Sequence, residues 1–112
     1  LSNLGYKTSF GNKPYDINYI TGSKKKHFIA CLANKSSKIK MKIFSNQPGL
    51  QLYTGHKLNF KSKQKKLSFF QGLCLETQHF PNSPNQKNFP TTLAMPNKKY
   101  RLFTNYKFEK II

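Results

Sequence analysis

Apolar and polar residues alternate one by one along much of this chain. The clearest run is Lys38-Ile39-Lys40-Met41-Lys42-Ile43. In an extended strand Ile39, Met41 and Ile43 share one face and the three lysines share the other; at helical spacing those lysines would scatter around the axis. Tyr15–Ile20 alternates in the same way, with Tyr15, Ile17 and Tyr19 set against Asp16, Asn18 and Ile20. Leu50-Gln51-Leu52-Tyr53 is another alternating strand, His27–Ala33 an apolar one, and Tyr100–Phe108 a long one near the C-terminus. Leu67–Phe70 and Gly72–Thr77 are also β-like. Turn residues separate these runs: Thr21-Gly22-Ser23 with Lys24-Lys25-Lys26 as a charged hairpin tip, Asn34–Ser37, and Asn46-Gln47-Pro48-Gly49. Residues 1–14 read as a loop-rich lead-in, and residues 56–66 as a lysine-rich loop without periodicity. No segment carries a 3.6-residue period, and no internal repeat is found. The pattern predicts an all-β protein, an antiparallel β-sandwich or barrel or a piece of one.

Length and charge narrow this. The 112 residues make at most one domain with a modest core. The net charge of +17 comes from 19 lysines and one arginine, Arg101, against three acidic residues. Readers of nucleic acid draw on arginine's planar fork. Here the enriched residues are Lys, Asn, Ile, Phe and Tyr, which share A/T-rich codons, so genome composition accounts for the basicity and no specific nucleic-acid partner is expected. A basic polyanion-binding protein is the alternative that the charge leaves open. Cys31 and Cys74 lie far apart inside apolar runs and are expected as buried, reduced thiols, not as a disulfide or zinc site. No apolar run is long enough to span a bilayer. No charged-then-apolar leader is seen, and a cytoplasmic location is expected. A start at Leu1 without Met suggests a processed or truncated chain.

The chemistry of nucleotide loops, zinc helices and serine hydrolases is unsupported: their motifs are absent, and His27, His56 and His79 share no ligand spacing. No cofactor or metal is expected. The carboxylates are the better lead. In Leu73-Cys74-Leu75-Glu76 the leucines point one way and Cys74 and Glu76 the other, and Leu50-Gln51-Leu52-Tyr53 repeats the arrangement. With the leucines in a core, Gln51 and Glu76 face the opposite side of their strands. A carboxylate, an amide and aromatic rings on one sheet face suit a sugar, whose hydroxyls bond polar side chains and whose C–H faces stack on rings. Partial desolvation would make such a carboxylate a better base. From the pattern alone, the first reading of Glu76 is a carboxylate that neutralises a nearby lysine, that of Asp16 a strand-end or turn carboxylate paired with lysine, and Glu109, beside Lys107 and Lys110, reads as a surface residue.

The ordered segments nevertheless resemble a known family. CLETQHFPNSPNQKNFP, from Cys74 to Pro90, resembles the signature of the aldose 1-epimerases, or galactose mutarotases. Tyr15-Asp16-Ile17-Asn18-Tyr19 resembles the family's aspartate-bearing segment, Gln47–Gly55 its Q-P-G strand, and Pro96–Phe108 its closing strand, so the likeness covers about residues 13–108. The resemblance implies a galactose mutarotase-like antiparallel β-sandwich. It implies an isomerase that interconverts the α and β anomers of hexoses such as galactose and glucose. By position Glu76 matches the general base, while Asp16 and Gln51 match substrate-binding residues. Ile17 and His56 depart from the family pattern, which has His and Asn there. Family chains are well over twice as long, and their acid histidine lies N-terminal to anything present here. The chain is therefore expected to be the C-terminal part of one such domain, acting on a small-molecule aldose with a missing N-terminal half. A non-catalytic carbohydrate-binding remnant of the same fold stays open. The three prolines after Glu76 are expected to fix the strand that carries it.

Overall fold

The computed structural model describes residues 2–3, 11–22, 25–64 and 66–112. Among the described residues nine strands follow one another: β1 (Ser2–Asn3), β2 (Asp16–Ile20), β3 (His27–Asn34), β4 (Ile39–Ser45), β5 (Gly49–Tyr53), β6 (Phe60–Lys61), β7 (Lys66–Leu67), β8 (Cys74–Gln78) and β9 (Thr104–Lys110). The one helical piece among the described residues is a 3-10 turn at Ser83–Asn85. The all-β expectation holds, because period-2 runs can bury one face only as strands.

Two sheets carry the fold, in strand orders β1-β2-β5-β8 and β3-β4-β9. All pairings in them are antiparallel except the short parallel pair of β1 with β2. Consecutive strands β2 and β3 lie in different sheets, so the expected hairpin between them does not form. The chain crosses from one sheet to the other there, and Ser23 and Lys24 of the expected tip lie outside the described residues. The loop expected at 56–66 carries a small antiparallel ribbon, β6 with β7. Leu67–Phe70 contributes only Leu67 to a strand.

The core lies between the two sheets. Ile29, Ile43 and Leu50 are buried together, with Ala30, Met41 and Leu75 packed around them. Leu52, two residues beyond Leu50 on the same strand face, is also buried. Each such side chain contributes roughly 1.5–3 kcal/mol of hydrophobic stabilisation. Thr77 of β8 and Thr104 of β9 join the sheets through their hydroxyls, and the Tyr106 hydroxyl donates to the Leu75 carbonyl at 3.3 Å. The core is short. Register places Phe108 opposite Met41, and Tyr106 opposite the fully buried Ile43. Yet Ile39 and Phe108 on this inward face are 48% and 67% exposed, so the β1-β2-β5-β8 sheet covers only part of its partner. The radius of gyration, 16.2 Å, exceeds the roughly 13 Å of a compact domain of about this length.

Both cysteines are free and exposed, which corrects the expectation of burial. Cys31 pairs with Lys42 and so lies on the outward face of β3. Cys74 lies on the outward face of β8.

Candidate active site

The outward face of β2, β5 and β8 carries the candidate chemistry. Leu50 and Leu52 fill the core side of β5, so alternation sends Gly49, Gln51 and Tyr53 to the other side. Register then builds three rows across the sheet. Asp16, Tyr53 and Cys74 form one; Asn18, Gln51 and Glu76 form the next; Ile20, Gly49 and Gln78 form the third. Directly opposed residues in such rows hold their Cβ atoms about 4.5–5.5 Å apart. The three residues singled out from the sequence, Asp16, Gln51 and Glu76, thus meet on one face with Gln51 at the centre.

Gln51 Nε2 donates to Asp16 Oδ1 at 2.7 Å. Asp16 is held at the head of β2 by its neighbours. The Tyr15 amide donates to Thr54 Oγ1 at 2.9 Å, and Thr54 Oγ1 donates to the Lys13 carbonyl at 2.6 Å. Thr54 is buried. Gly55 follows it with φ +69°, a left-handed conformation that favours glycine. A Cβ there would strike the Gly72 carbonyl oxygen, so Gly55 lets the approach to β8 pass close by. Its own carbonyl accepts from Leu58 at 3.0 Å and Phe70 at 2.9 Å.

Glu76 is exposed, not partly desolvated as its apolar neighbours in sequence suggested. Among the described residues no lysine forms an ion pair with Glu76 or with Asp16. Glu109 is different. Its carboxylate lies 3.0 Å from Lys40 Nζ, 3.0 Å from Lys42 Nζ and 3.2 Å from Lys107 Nζ. Hydrogen bonds from Lys42, then Lys40 and Lys107, hold its pKa down at about 2. In a chain with this excess of lysine, one carboxylate is neutralised threefold, while the two on the site face form no ion pair with the described lysines.

The proline loop after β8 turns back onto the site. Phe80 and Phe89 pack edge-to-face at 5.1 Å, and Ser83 Oγ donates to the Phe80 carbonyl at 2.6 Å. Phe80 Cδ1 also lies 3.1 Å from where a Cβ on Gly49 would stand, so the loop closes against the start of β5. None of the histidines bonds to Glu76. His27 is bound to the Lys25 and Thr21 carbonyls, each at 2.8 Å. His79 Nδ1 lies 3.1 Å from Gln47 Oε1. His56 packs edge-to-face on Tyr53 at 5.2 Å, at the margin of the site face.

Sequence reading missed Asn18 and Gly49. Asn18 is buried, and both atoms of its amide lack a partner. A Cβ at Gly49 would come 2.6 Å from Asn18 Oδ1. The alternation of Asp16 and Asn18 along β2 was the available signal.

Residues 2–107 match the sequence profile of the Aldose 1-epimerase family. The chain is 38% identical over 98 residues to the galactose mutarotase of Homo sapiens, which covers 84% of this chain and 29% of that protein. It is equally similar, at 38% over 98 residues with the same coverage, to the galactose mutarotase of Mus musculus. It is 28% identical over 102 residues to the aldose 1-epimerase of Escherichia coli (strain K12), with 86% of this chain and 30% of that protein covered. The chain belongs to the aldose 1-epimerase family. It spans about 29% of the length of the galactose mutarotases it matches.

Proposed function

We propose that this chain is the C-terminal part of an aldose 1-epimerase domain that interconverts the α and β anomers of a hexose such as galactose or glucose. The observation that carries this reading is the row Asn18–Gln51–Glu76 with Asp16 beside it. It sets a carboxylate, in no ion pair with the described lysines, next to an amide and a second carboxylate that are already hydrogen-bonded to each other. Family membership supports the same assignment.

Glu76 is the base. Its carboxylate takes the proton of the anomeric hydroxyl, the C1–O1 bond gains double-bond character, and the C1–O5 bond breaks. The electron pair left on O5 takes a proton from an acid. Rotation about C1–C2 and the reverse sequence on the other face of the aldehyde give the opposite anomer. Asp16 and Gln51 bind sugar hydroxyls and hold C1 over Glu76. Positioning of this kind is worth several kcal/mol of the barrier, and general-base transfer typically contributes about 10²–10⁴-fold. Tyr53, half-buried on the same face, offers a ring to the C–H side of the sugar. The acid is assigned to the part of the family domain outside these residues, since none of the three histidines stands in the rows that carry Asp16, Gln51 and Glu76. The partly covered inner face around Ile39 and Phe108 gives that part a surface to complete. Two exposed thiols suit a reducing, cytoplasmic setting.

The test is polarimetry on freshly dissolved α-D-galactose. The whole protein carrying this chain is expected to speed mutarotation above a buffer blank, and the 112-residue chain alone is not. Base and acid act as one unit, and losing one removes most of the advantage of the other. A clear rate from the chain alone would place an acid within these residues and overturn the division of labour.

A further inference from the structure

Among the described residues, Asn18 holds the one buried side-chain amide with no partner at either end. Its Nδ2 and Oδ1 are both buried and unbonded, and the side chain is 8% exposed. Directly opposite it, Gln51 Oε1 is also buried and unbonded, although Gln51 Nε2 donates to Asp16. Orphaned buried polar atoms are rare, because each costs about 1–3 kcal/mol unless a partner or an ordered water meets it. Here an orphan donor and an orphan acceptor belong to residues directly paired across β2 and β5. Gly49 leaves the space in which the Asn18 amide sits, since any Cβ there would come 2.6 Å from Oδ1.

We infer that Asn18 is a positioning residue for sugar binding: its Nδ2 donates to Gln51 Oε1, directly or through one ordered water, when substrate is bound. This fixes which end of the Gln51 amide faces Asp16. A Gln amide can rotate by half a turn, and the rotated form would present oxygen to the Asp16 carboxylate, where two acceptors repel. With Asn18 donating through Nδ2, the orientation of Gln51 that gives Nε2 to Asp16 satisfies both ends of its amide. Asn18 itself does not touch the sugar; it acts through Gln51. The inference rests on the sugar-site reading above and adds a residue which that reading does not use.

The test replaces Asn18 in the whole protein and compares sugar binding with stability. Asn18→Leu keeps the branched shape at a somewhat larger volume and removes both orphaned polar atoms, so the two effects oppose each other and the thermal midpoint is expected to stay close to wild type. KM for galactose is expected to rise about three- to tenfold, the worth of one neutral hydrogen bond, with kcat changed less. Asn18→Ser retains a donor and should give a KM between the two. An unchanged KM in Asn18→Leu overturns the inference. So does a KM that rises only together with a falling midpoint in both variants, which would make Asn18 a packing residue, and so does an Asn18→Ser variant no better than Asn18→Leu. Glu76→Gln in the same assay separates the two claims. Turnover that survives it removes Glu76 as base, while the KM contrast among Asn18 variants still reads sugar binding.

Discussion

Gly49→Ala puts the packing behind the site to a direct test. The new methyl carbon would stand 2.6 Å from Asn18 Oδ1, 3.1 Å from the Gln78 carbonyl oxygen and 3.1 Å from Phe80 Cδ1. The first distance is below any normal contact, so Asn18 must move. The second involves backbone in the paired strand β8 and gives little. Overpacking of this kind costs about 1–3 kcal/mol. Against it, Gly→Ala in extended backbone reduces the freedom of the unfolded chain and returns about 0.4–1 kcal/mol. The net expectation is a loss of about 1–2 kcal/mol. In an Asn18→Ala background the tightest contact is gone, and the same substitution should cost at least about 0.5 kcal/mol less, the signature of two residues in contact. Urea denaturation of the wild type, both single variants and the double variant measures this. A neutral or stabilising Gly49→Ala, or an equal cost in both backgrounds, would show that the Asn18 amide is not seated over Gly49.

Asp16→Ala and Gln51→Ala are each expected to raise KM for galactose while circular dichroism and the thermal midpoint stay close to wild type; an unfolded variant would make that residue structural. Leu50→Ala empties a site that is 1% exposed at the centre of the core and is expected to cost about 2–5 kcal/mol in denaturant titrations. Glu109 titrates at about 2 in the folded protein against an ordinary value of 4.5. Its carboxylate therefore contributes stability that is complete above the ordinary value and is lost as pH falls toward about 2. The gap in thermal midpoint between wild type and Glu109→Gln should be widest at pH 5 to 7 and close on acidification; a constant gap would mean that the three lysine contacts do not hold in solution.

Much of this site was legible because a strand has a period of two. Leu50 and Leu52 define the core side of β5, which leaves Gln51 no choice of face, and the same logic places Glu76 opposite Leu75. Pairing is a different matter. The turn at residues 21–26 marks where β2 ends, yet nothing local in it states whether the next strand returns to the same sheet. β3 goes to the other sheet, where Ile29 reaches the core. The cysteines were misjudged for a related reason. An apolar run such as Phe28–Leu32 suggests burial on both faces, but Cys31 falls opposite Lys42 on the outward one. The last strand begins at Thr104, not Tyr100, because the preceding backbone is bonded to side chains. Asn46 Nδ2 donates to the Arg101 carbonyl at 2.9 Å, the Phe103 amide donates to Asn46 Oδ1 at 2.9 Å, and Ser45 Oγ donates to the Phe103 carbonyl at 2.7 Å. Such long-range capture of backbone by side chains leaves no mark in alternation. The exposure of Glu76 was hidden likewise: Cys74 and Leu75 make its surroundings look apolar in sequence, while the face it occupies is open in this chain.

The proposed catalysis turns on Glu76, and one substitution addresses it. Glu76→Gln keeps the shape of the side chain and its reach for hydrogen bonds but removes the base. In the whole protein, polarimetry on fresh α-D-galactose should show mutarotation slowed by about 10²–10⁴-fold, while titration calorimetry shows galactose still bound with an affinity close to wild type. Near-normal interconversion of the anomers by Glu76→Gln would contradict the account.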